Sequence, residues 1–389
     1  MNIFIVPPND LINNVLPNRL YHLARSWEQH HKLYLLRYPR YPTSTNVERV
    51  LKRIDIVPRA KPSSDPSIYY IKNAKSIYEA IEKALKREPI DVVIHANILP
   101  SLFVIKLAKK LETKIIFDYL DHYPESASAY YKNKLMKSLV HTVVFTITKY
   151  NLRNSDDIVA VSYALKQTVE KYAKKTVYLI PNGVDVQLFK PLPKDYVRRR
   201  LALEFHEPIL LYYGSITEWI DYNALLKVTA KLKPEYPNIL LLLVGIIYKN
   251  SEEMELRQKI RRLDIEKNVV LYPPQPHERI PMYVSASDIV IAPYRNLPKN
   301  FVTPVKILEA LACEKPVITS DLFEFRLWFK DYLEYYRTVE ELEEKVLSIL
   351  KMRDLLMEKL RIARRYIEEN FHWKRLAEKY EHVLYSNRY

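Results

Sequence analysis

Two side chains one helical turn apart, Lys306 and Glu309, carry the most specific chemistry in this chain. They lie in TPVKILEALACEKPVIT, after an apolar run of buried-strand length, SDIVIAP (Ser287–Pro293), and before the strand PVIT. Pro304 stands where a helix starts, its missing N–H being no loss there. The helix is predicted over Val305–Cys313 and ends before Lys315-Pro316. A cation in a first helical turn opposes the macrodipole. An anion bound at that end reverses the argument, because free backbone N–H groups and an ammonium together make a phosphate cradle. Glu309 shares a helix face with Lys306, and its carboxylate can accept two hydroxyl hydrogen bonds, as from a ribose. An exposed Lys306–Glu309 pair on an ordinary helix stands open beside this reading.

The elements that must position such a pair are strands of a parallel sheet. From NIFIVPP onward, apolar runs of strand length alternate with amphipathic helical stretches. In the first half these include KLYLLRY, IDVVIHA, KIIFDYL, DDIVAVS and TVYLIP. In the second they include PILLYYG, NILLLLVG, NVVLYP and SDIVIAP. Such alternation predicts an α/β protein with parallel sheets covered on both faces. Long helices are expected at Ile68–Arg87 and over about Glu125 to Asn154, and a last amphipathic helix at Trp373–Tyr385. The alternation restarts after PNGVDVQLFKPLPKD, which reads as a hinge. Domains are therefore expected at 1–180 and 181–370, with residues 371–389 as a terminal helix. With 389 residues, two domains of ordinary size fit. Only three glycines occur, Gly183, Gly214 and Gly245, each following a strand-like run. In a chain this poor in glycine they are expected at backbone positions that tolerate no side chain.

A net charge of +15 favours an anionic partner: a nucleotide, a nucleic acid or an anionic membrane face. The basic residues are spread rather than clustered, and no nucleic-acid module is present. One cysteine, Cys313, excludes a disulfide framework. The composition fits a cytoplasmic protein. The N-terminus lacks the basic leader and cleavage site of a signal peptide, and no apolar run reaches the length of a membrane span.

The motifs resemble those of the two-domain GT-B glycosyltransferases, especially family 4. PNGVD with Phe189-Lys190-Pro191 resembles that family's interdomain signature, and YYGSITEWIDYNALL (Tyr212–Leu226) the first strand and loop of its nucleotide-sugar domain. NVVLYPPQPHERIPMYVSASDIVIAPYR and TPVKILEALACEKPVI resemble the strands and helix of the donor site. FHWKRLAEKYEHVLY (Phe371–Tyr385) resembles the terminal helix that returns to the first domain. The resemblance implies two doubly wound, Rossmann-like sheets facing each other across a cleft. It departs from the usual pattern where Phe301 replaces the first of two glutamates, and where Ser215, Ile216 and Trp219-Ile220 replace the usual Arg and Lys. No glycine follows the first strand either.

Carried onto this sequence, the resemblance implies that Lys306 meets a donor diphosphate, backed by the N–H groups of Val305 and Lys306. Glu309 then holds the ribose, Gly214 and Ser215 let the diphosphate approach the backbone, and Thr303 and Arg295 are further phosphate or sugar candidates. Transfer also needs a group near the sugar or the acceptor hydroxyl. In FDYLDHYPE, Asp121 is the first candidate and His122 the second. The alternatives are an N-cap role for Asp121 and a plain surface histidine. No metal-ligand spacing is present, so metal-independent transfer without a cofactor is expected, with retention of the anomeric centre as the family implies. The acceptor is expected to be a glycan or a lipid-linked sugar. Tyr130–Arg153, basic and aromatic with an apolar run, is a candidate for an anionic membrane surface on the inner face of the cell membrane. Rival readings are a sugar-nucleotide epimerase of the same architecture, a transferase-like module without activity, and a nucleic-acid-binding protein.

Overall fold

The computed structural model describes residues 1–13, 17–38, 49–63, 66–129, 131, 133–216, 219–245, 250–295 and 305–386. The chain forms two compact units, Met1–Asn182 with Trp373–Tyr389, and Gly183–Asn300 with Pro304–His372.

The first unit is built on seven parallel strands: β1 (Asn2–Val6), β2 (Lys32–Leu36), β3 (Arg53–Ile56), β4 (Val92–His95), β5 (Lys114–Tyr119), β6 (Asp157–Ala160) and β7 (Tyr178–Leu179). Their spatial order is β3-β2-β1-β4-β5-β6-β7. The central strands are buried throughout, as continuous apolar runs require when helices cover both faces. The helix Arg19–Trp27 opens on Asn18, whose side chain accepts from the Tyr21 N–H, and it buries Leu20, Leu23, Ala24 and Trp27. The terminal helix Trp373–Leu384 packs into the same core through Leu376, Ala377, Tyr380 and Val383, with Tyr380 edge-on to Trp27 at 5.1 Å. Lys114 holds its C-terminal end, donating to the Val383 carbonyl at 2.6 Å, where a cation complements the helix dipole.

Two long helices expected from periodicity are each broken. Residues 66–87 form Pro66–Lys72 and Ala74–Arg87. Between them the buried Asn73 amide pairs with both backbone groups of Lys61, at 2.8 and 3.0 Å, so its side chain fastens a neighbouring segment at the break. Likewise, Tyr123–Ser128 and Lys134–Asn154 are separate, and the second starts where the Asn133 side chain accepts from the Leu135 and Met136 N–H groups.

Two buried polar groups of this unit, Asp118 and His95, are paired within it. Arg19 Nε reaches both oxygens of the fully buried Asp118, at 3.2 and 3.0 Å, and its Nη1 donates to the Pro181 carbonyl. Burial pushes the Asp118 carboxyl up despite Arg19. His95 bridges the Ser101 and Ser155 hydroxyls at 3.0 and 2.9 Å and stacks on Phe117. Burial lowers its pKa to about 3, so it is neutral in the fold.

The second unit has six parallel strands: β8 (Ile209–Tyr213), β9 (Leu240–Val244), β10 (Val269–Tyr272), β11 (Ile289–Ala292), β12 (Val317–Ser320) and β13 (Glu334–Tyr336). Their order is β10-β9-β8-β11-β12-β13, so the chain reverses direction across the sheet between β8 and β11. Crevices at the carboxyl ends of strands flanking such a reversal are where open α/β sheets bind ligands. A helix the periodicity did not predict, Lys194–Arg200, sends Lys194 and Arg198 to Asp288 at 2.6 and 2.8 Å. The same carboxylate accepts from the Ile209 N–H, tying the helix to the start of β8. The segment after Gly183 is fastened to this unit. Val184 bridges to His372, and the Arg364 guanidinium donates to the carbonyls of Val186, Phe189 and Ala312.

Candidate functional site

The site is assembled from the carboxyl ends of β8 and β11 and from the helix Val305–Ala312. Two glycines, directly after β8 and β9, allow close approach there. Gly214 has φ +115°, a conformation L side chains rarely adopt, and a Cβ there would lie 2.4 Å from Lys306 Cε and 2.9 Å from its Nζ. A Cβ on Gly245 would meet the Gly214 carbonyl oxygen at 1.8 Å. At these two positions close backbone approach explains why this chain keeps glycine.

Lys306 is half-buried in the first turn of its helix. Its ammonium faces two tyrosine rings, Tyr212 at 5.6 Å and Tyr294 at 5.8 Å from the centroids, an arrangement in which ring quadrupoles attract a cation. Burial disfavours the charge, but Tyr294, Tyr212 and Glu309 outweigh it and hold the ammonium above the ordinary lysine range. The Tyr213 hydroxyl donates to the Lys306 carbonyl at 2.9 Å, which fixes the first helical turn to β8. Burial, with the Glu309 carboxylate next, pushes the Tyr213 phenol well up, so it remains a donor.

Glu309 is buried, and its Oε1 lies 2.9 Å from His277 Nε2. The plain surface pair weighed from the sequence is therefore not what the structure shows: Glu309 engages a histidine 32 residues away, and Lys306 faces aromatic rings. Ser215 is half-buried, and its carbonyl accepts from the Tyr212 hydroxyl at 2.6 Å. Arg295 is exposed, and its N–H donates to the Trp219 carbonyl at 3.0 Å. With the Ile220–Tyr294 bridge this zips the loop after β8 to the end of β11. Val305 opens the helix and is half-buried. Thr303, like Phe301, lies outside the described residues. Thus Gly214 and Lys306 meet, with Glu309 one turn on; Ser215 and Val305 are their chain neighbours, and Arg295 follows Tyr294, whose ring faces Lys306.

Asp121 and His122 lie in the first unit, just beyond β5. Asp121 accepts from the His122 N–H at 2.7 Å and from the Ser126 hydroxyl, while His122 itself occupies the N-cap position of the helix Tyr123–Ser128. His122 is buried rather than a surface residue. Its Nδ1 lies 3.2 Å from the Tyr119 hydroxyl and its Nε2 3.1 Å from Glu125 Oε2, and His141 approaches the other Glu125 oxygen at 3.5 Å. Sequence reasoning missed His277, Tyr212 and Tyr294 as parts of the cluster around Lys306 and Glu309. The tyrosines read as strand-end residues, and no spacing rule links His277 to Glu309.

The fold defines the architectural class. Across 98% of both chains the structure resembles sucrose-phosphate synthase from Thermosynechococcus elongatus, with TM-score 0.78 at 16% identity. It also resembles Anabaena Alr3699/HepE, solved in complex with UDP-glucose, with TM-score 0.72 at 15% identity over 99% of both chains. The architecture is GT-B: two Rossmann-like units, each a parallel sheet with helices.

Sequence comparison supplies the particular family. Residues 194–370 match the family "Glycosyl transferases group 1", and residues 17–188 match "Glycosyltransferase Family 4". Between them the two matches take in most of the chain, and it belongs to the family 4-like, group 1 glycosyltransferases that they describe. Among curated relatives, a D-inositol 3-phosphate glycosyltransferase of Segniliparus rotundus is 28% identical over 143 residues, 36% of this chain and 31% of that protein. The putative teichuronic acid biosynthesis glycosyltransferase TuaH of Bacillus subtilis is 27% identical over 228 residues, 57% of this chain and 54% of TuaH. The matched regions thus span about a third and about half of these relatives' lengths.

Proposed function

We propose that this protein transfers a sugar from a nucleotide-diphospho-sugar to the hydroxyl of a glycan or lipid-linked acceptor. One observation carries the reading: the Lys306 ammonium, at a helix N-terminus, lies against the backbone of Gly214 at the sheet's reversal point, with Glu309 one turn on. That arrangement suits a diphosphate, which needs charge and close backbone approach, joined to a ribose, which needs a hydroxyl acceptor. The diphosphate is the leaving group, and charge developing on it during transfer is what a preorganised ammonium stabilises. Structural neighbours solved with UDP and with UDP-glucose support a nucleotide-sugar donor. In this reading Asp121 serves the sugar or acceptor side, as base or as a positioning group, with His122 held beside it.

The reading has transfer proceed without a cofactor or resident metal and with retention of the anomeric centre. Among the described residues no group of three His, Cys, Asp or Glu side chains is placed to hold a metal ion. Activity is expected to survive excess chelator; complete loss restored by Mg2+ or Mn2+ would contradict this.

The reading also includes an anionic membrane surface, on the inner face of the cell membrane, as the place where a lipid-linked acceptor is met. The helix Lys134–Asn154 exposes Leu135, Met136, Leu139 and Val143, with Lys134 and Lys137 exposed among them. Apolar contact flanked by cations is the pattern of interfacial helices. No helix among the described residues is long and apolar enough to cross a membrane. Binding to phosphatidylglycerol vesicles at low salt, reduced by Leu135→Glu with Leu139→Glu, is expected; indifference to such vesicles would remove this part. The experiment for the whole reading is a calorimetric screen of UDP-, GDP- and ADP-sugars, in which one class is expected to bind.

A further inference from the structure

His277 lies in a short helical turn, residues His277–Arg279, within the proline-rich connection that follows β10. Its side chain is 15% exposed and that of Glu309 6% exposed, so their 2.9 Å contact is largely shielded from water. A carboxylate only accepts hydrogen bonds, so His277 Nε2 carries the proton and donates it. The histidine is in turn backed by Phe189, fully buried, with ring centroids 5.1 Å apart. The backbone at Phe189 is tied down: Arg364 donates to its carbonyl and to those of Val186 and Ala312, the last at the C-terminal end of the helix that carries Glu309. A chain of contacts thus runs from the segment after Gly183, through the His277 ring, to one oxygen of Glu309.

A glutamate side chain has three rotatable bonds and considerable rotamer freedom to lose on binding. Fixing one carboxylate oxygen before a ligand arrives removes that cost and aims the second oxygen. We infer that His277 is a positioning residue for nucleoside recognition: by holding Glu309 Oε1 it presents the other carboxylate oxygen to the ribose hydroxyls of the donor. This rests on the assignment of Glu309 to the ribose in the proposed function. It predicts that the chain's preference for a ribonucleotide depends on His277 as well as on Glu309, although His277 need not touch the ligand.

The test compares binding of UDP, GDP and ADP with their 2′,3′-dideoxy counterparts by titration calorimetry. The proteins are the full wild-type chain and the Glu309→Gln, His277→Ala and His277→Gln variants, each checked for an intact melting transition. The nucleotide that binds wild type is expected to lose about tenfold or more in affinity without its ribose hydroxyls. Glu309→Gln should abolish most of that discrimination. His277→Ala should reduce it several-fold, while His277→Gln, whose amide N–H can reach the same carboxylate oxygen, should keep it. If Glu309→Gln leaves the discrimination intact, the ribose assignment itself fails. If Glu309→Gln removes it and His277→Ala does not, the ribose assignment stands and the positioning role of His277 is overturned. A His277→Gln variant that discriminates no better than His277→Ala would also contradict the role, because it would show that the donated hydrogen bond is not what matters.

Discussion

Arg19 and Lys306 are both cations in the first turn of a helix that follows a strand, one in each unit, and their surroundings treat them differently. Arg19 is closed off by the Asp118 carboxylate and the Pro181 carbonyl and is almost fully buried. Lys306 lies half-buried against two ring faces and a glycine backbone, while Glu309, one turn on, is engaged by His277. Both violate the same local rule, that a helix N-terminus prefers negative charge. In the first unit a partner carboxylate settles the violation internally. In the second the aromatic and backbone surroundings hold the ammonium in place, and a bound anion would settle it. In the proposed reading, Lys306 keeps part of its counter-charge for a bound anion, whereas Arg19 is paired directly with Asp118.

The comparison breaks most visibly if Arg19 is removed. Arg19→Ala leaves Asp118 buried without its ion partner and is expected to cost about 3–5 kcal/mol in a urea melt. A loss below about 1 kcal/mol would show that the pair is not the closed structural unit described. The next largest effect is on acid stability. His95 is held neutral with its pKa lowered to about 3, whereas in the unfolded chain it titrates in the ordinary histidine range. Its contribution is therefore complete above about pH 6.5 and is lost as pH falls, because only the unfolded state takes the proton. The slope is about 1.4 kcal/mol per pH unit between about pH 6.5 and 3. His95→Gln should flatten that part of the stability profile; an unchanged profile would refute the assignment.

Smaller effects sharpen the contrast around Lys306. Gly214→Ala places a methyl where Lys306 Cε lies and strains the φ +115° backbone. A loss of about 1–3 kcal/mol in stability is expected, with donor affinity falling alongside it. Ser162, in the first unit and outside the Lys306–Glu309 cluster, caps the helix Tyr163–Ala173 by accepting from the Leu165 N–H at 3.2 Å. Ser162→Ala should cost about 1 kcal/mol and leave donor affinity unchanged.

Much of this was legible in the sequence. Continuous apolar strands, their alternation with helices and the scarcity of glycine pointed to two parallel sheets and to Gly214 as a place of close approach. Lys306 stood out as a candidate because a cation in a first helical turn is locally unfavourable and asks for a reason. What the sequence concealed was long-range. Asn73 breaks a periodic helix by pairing with Lys61, twelve residues earlier, a contact no window of periodicity contains. His122 sits in a polar loop and is nonetheless buried, because Tyr119 and Glu125 occupy its two ring nitrogens. His277 reaches Glu309 only because the turn after β10 folds over the helix Val305–Ala312. Local rules carry no information about such partners.

The measurement that bears most directly on the account is the affinity of Lys306→Ala for the nucleotide-diphospho-sugar that wild type binds, set beside the free nucleoside as a ligand lacking the diphosphate. If Lys306 serves the diphosphate, affinity for the nucleotide-sugar falls by about tenfold to a hundredfold, while affinity for the nucleoside is unchanged. Undiminished binding of the nucleotide-sugar by a folded Lys306→Ala protein would contradict the central claim.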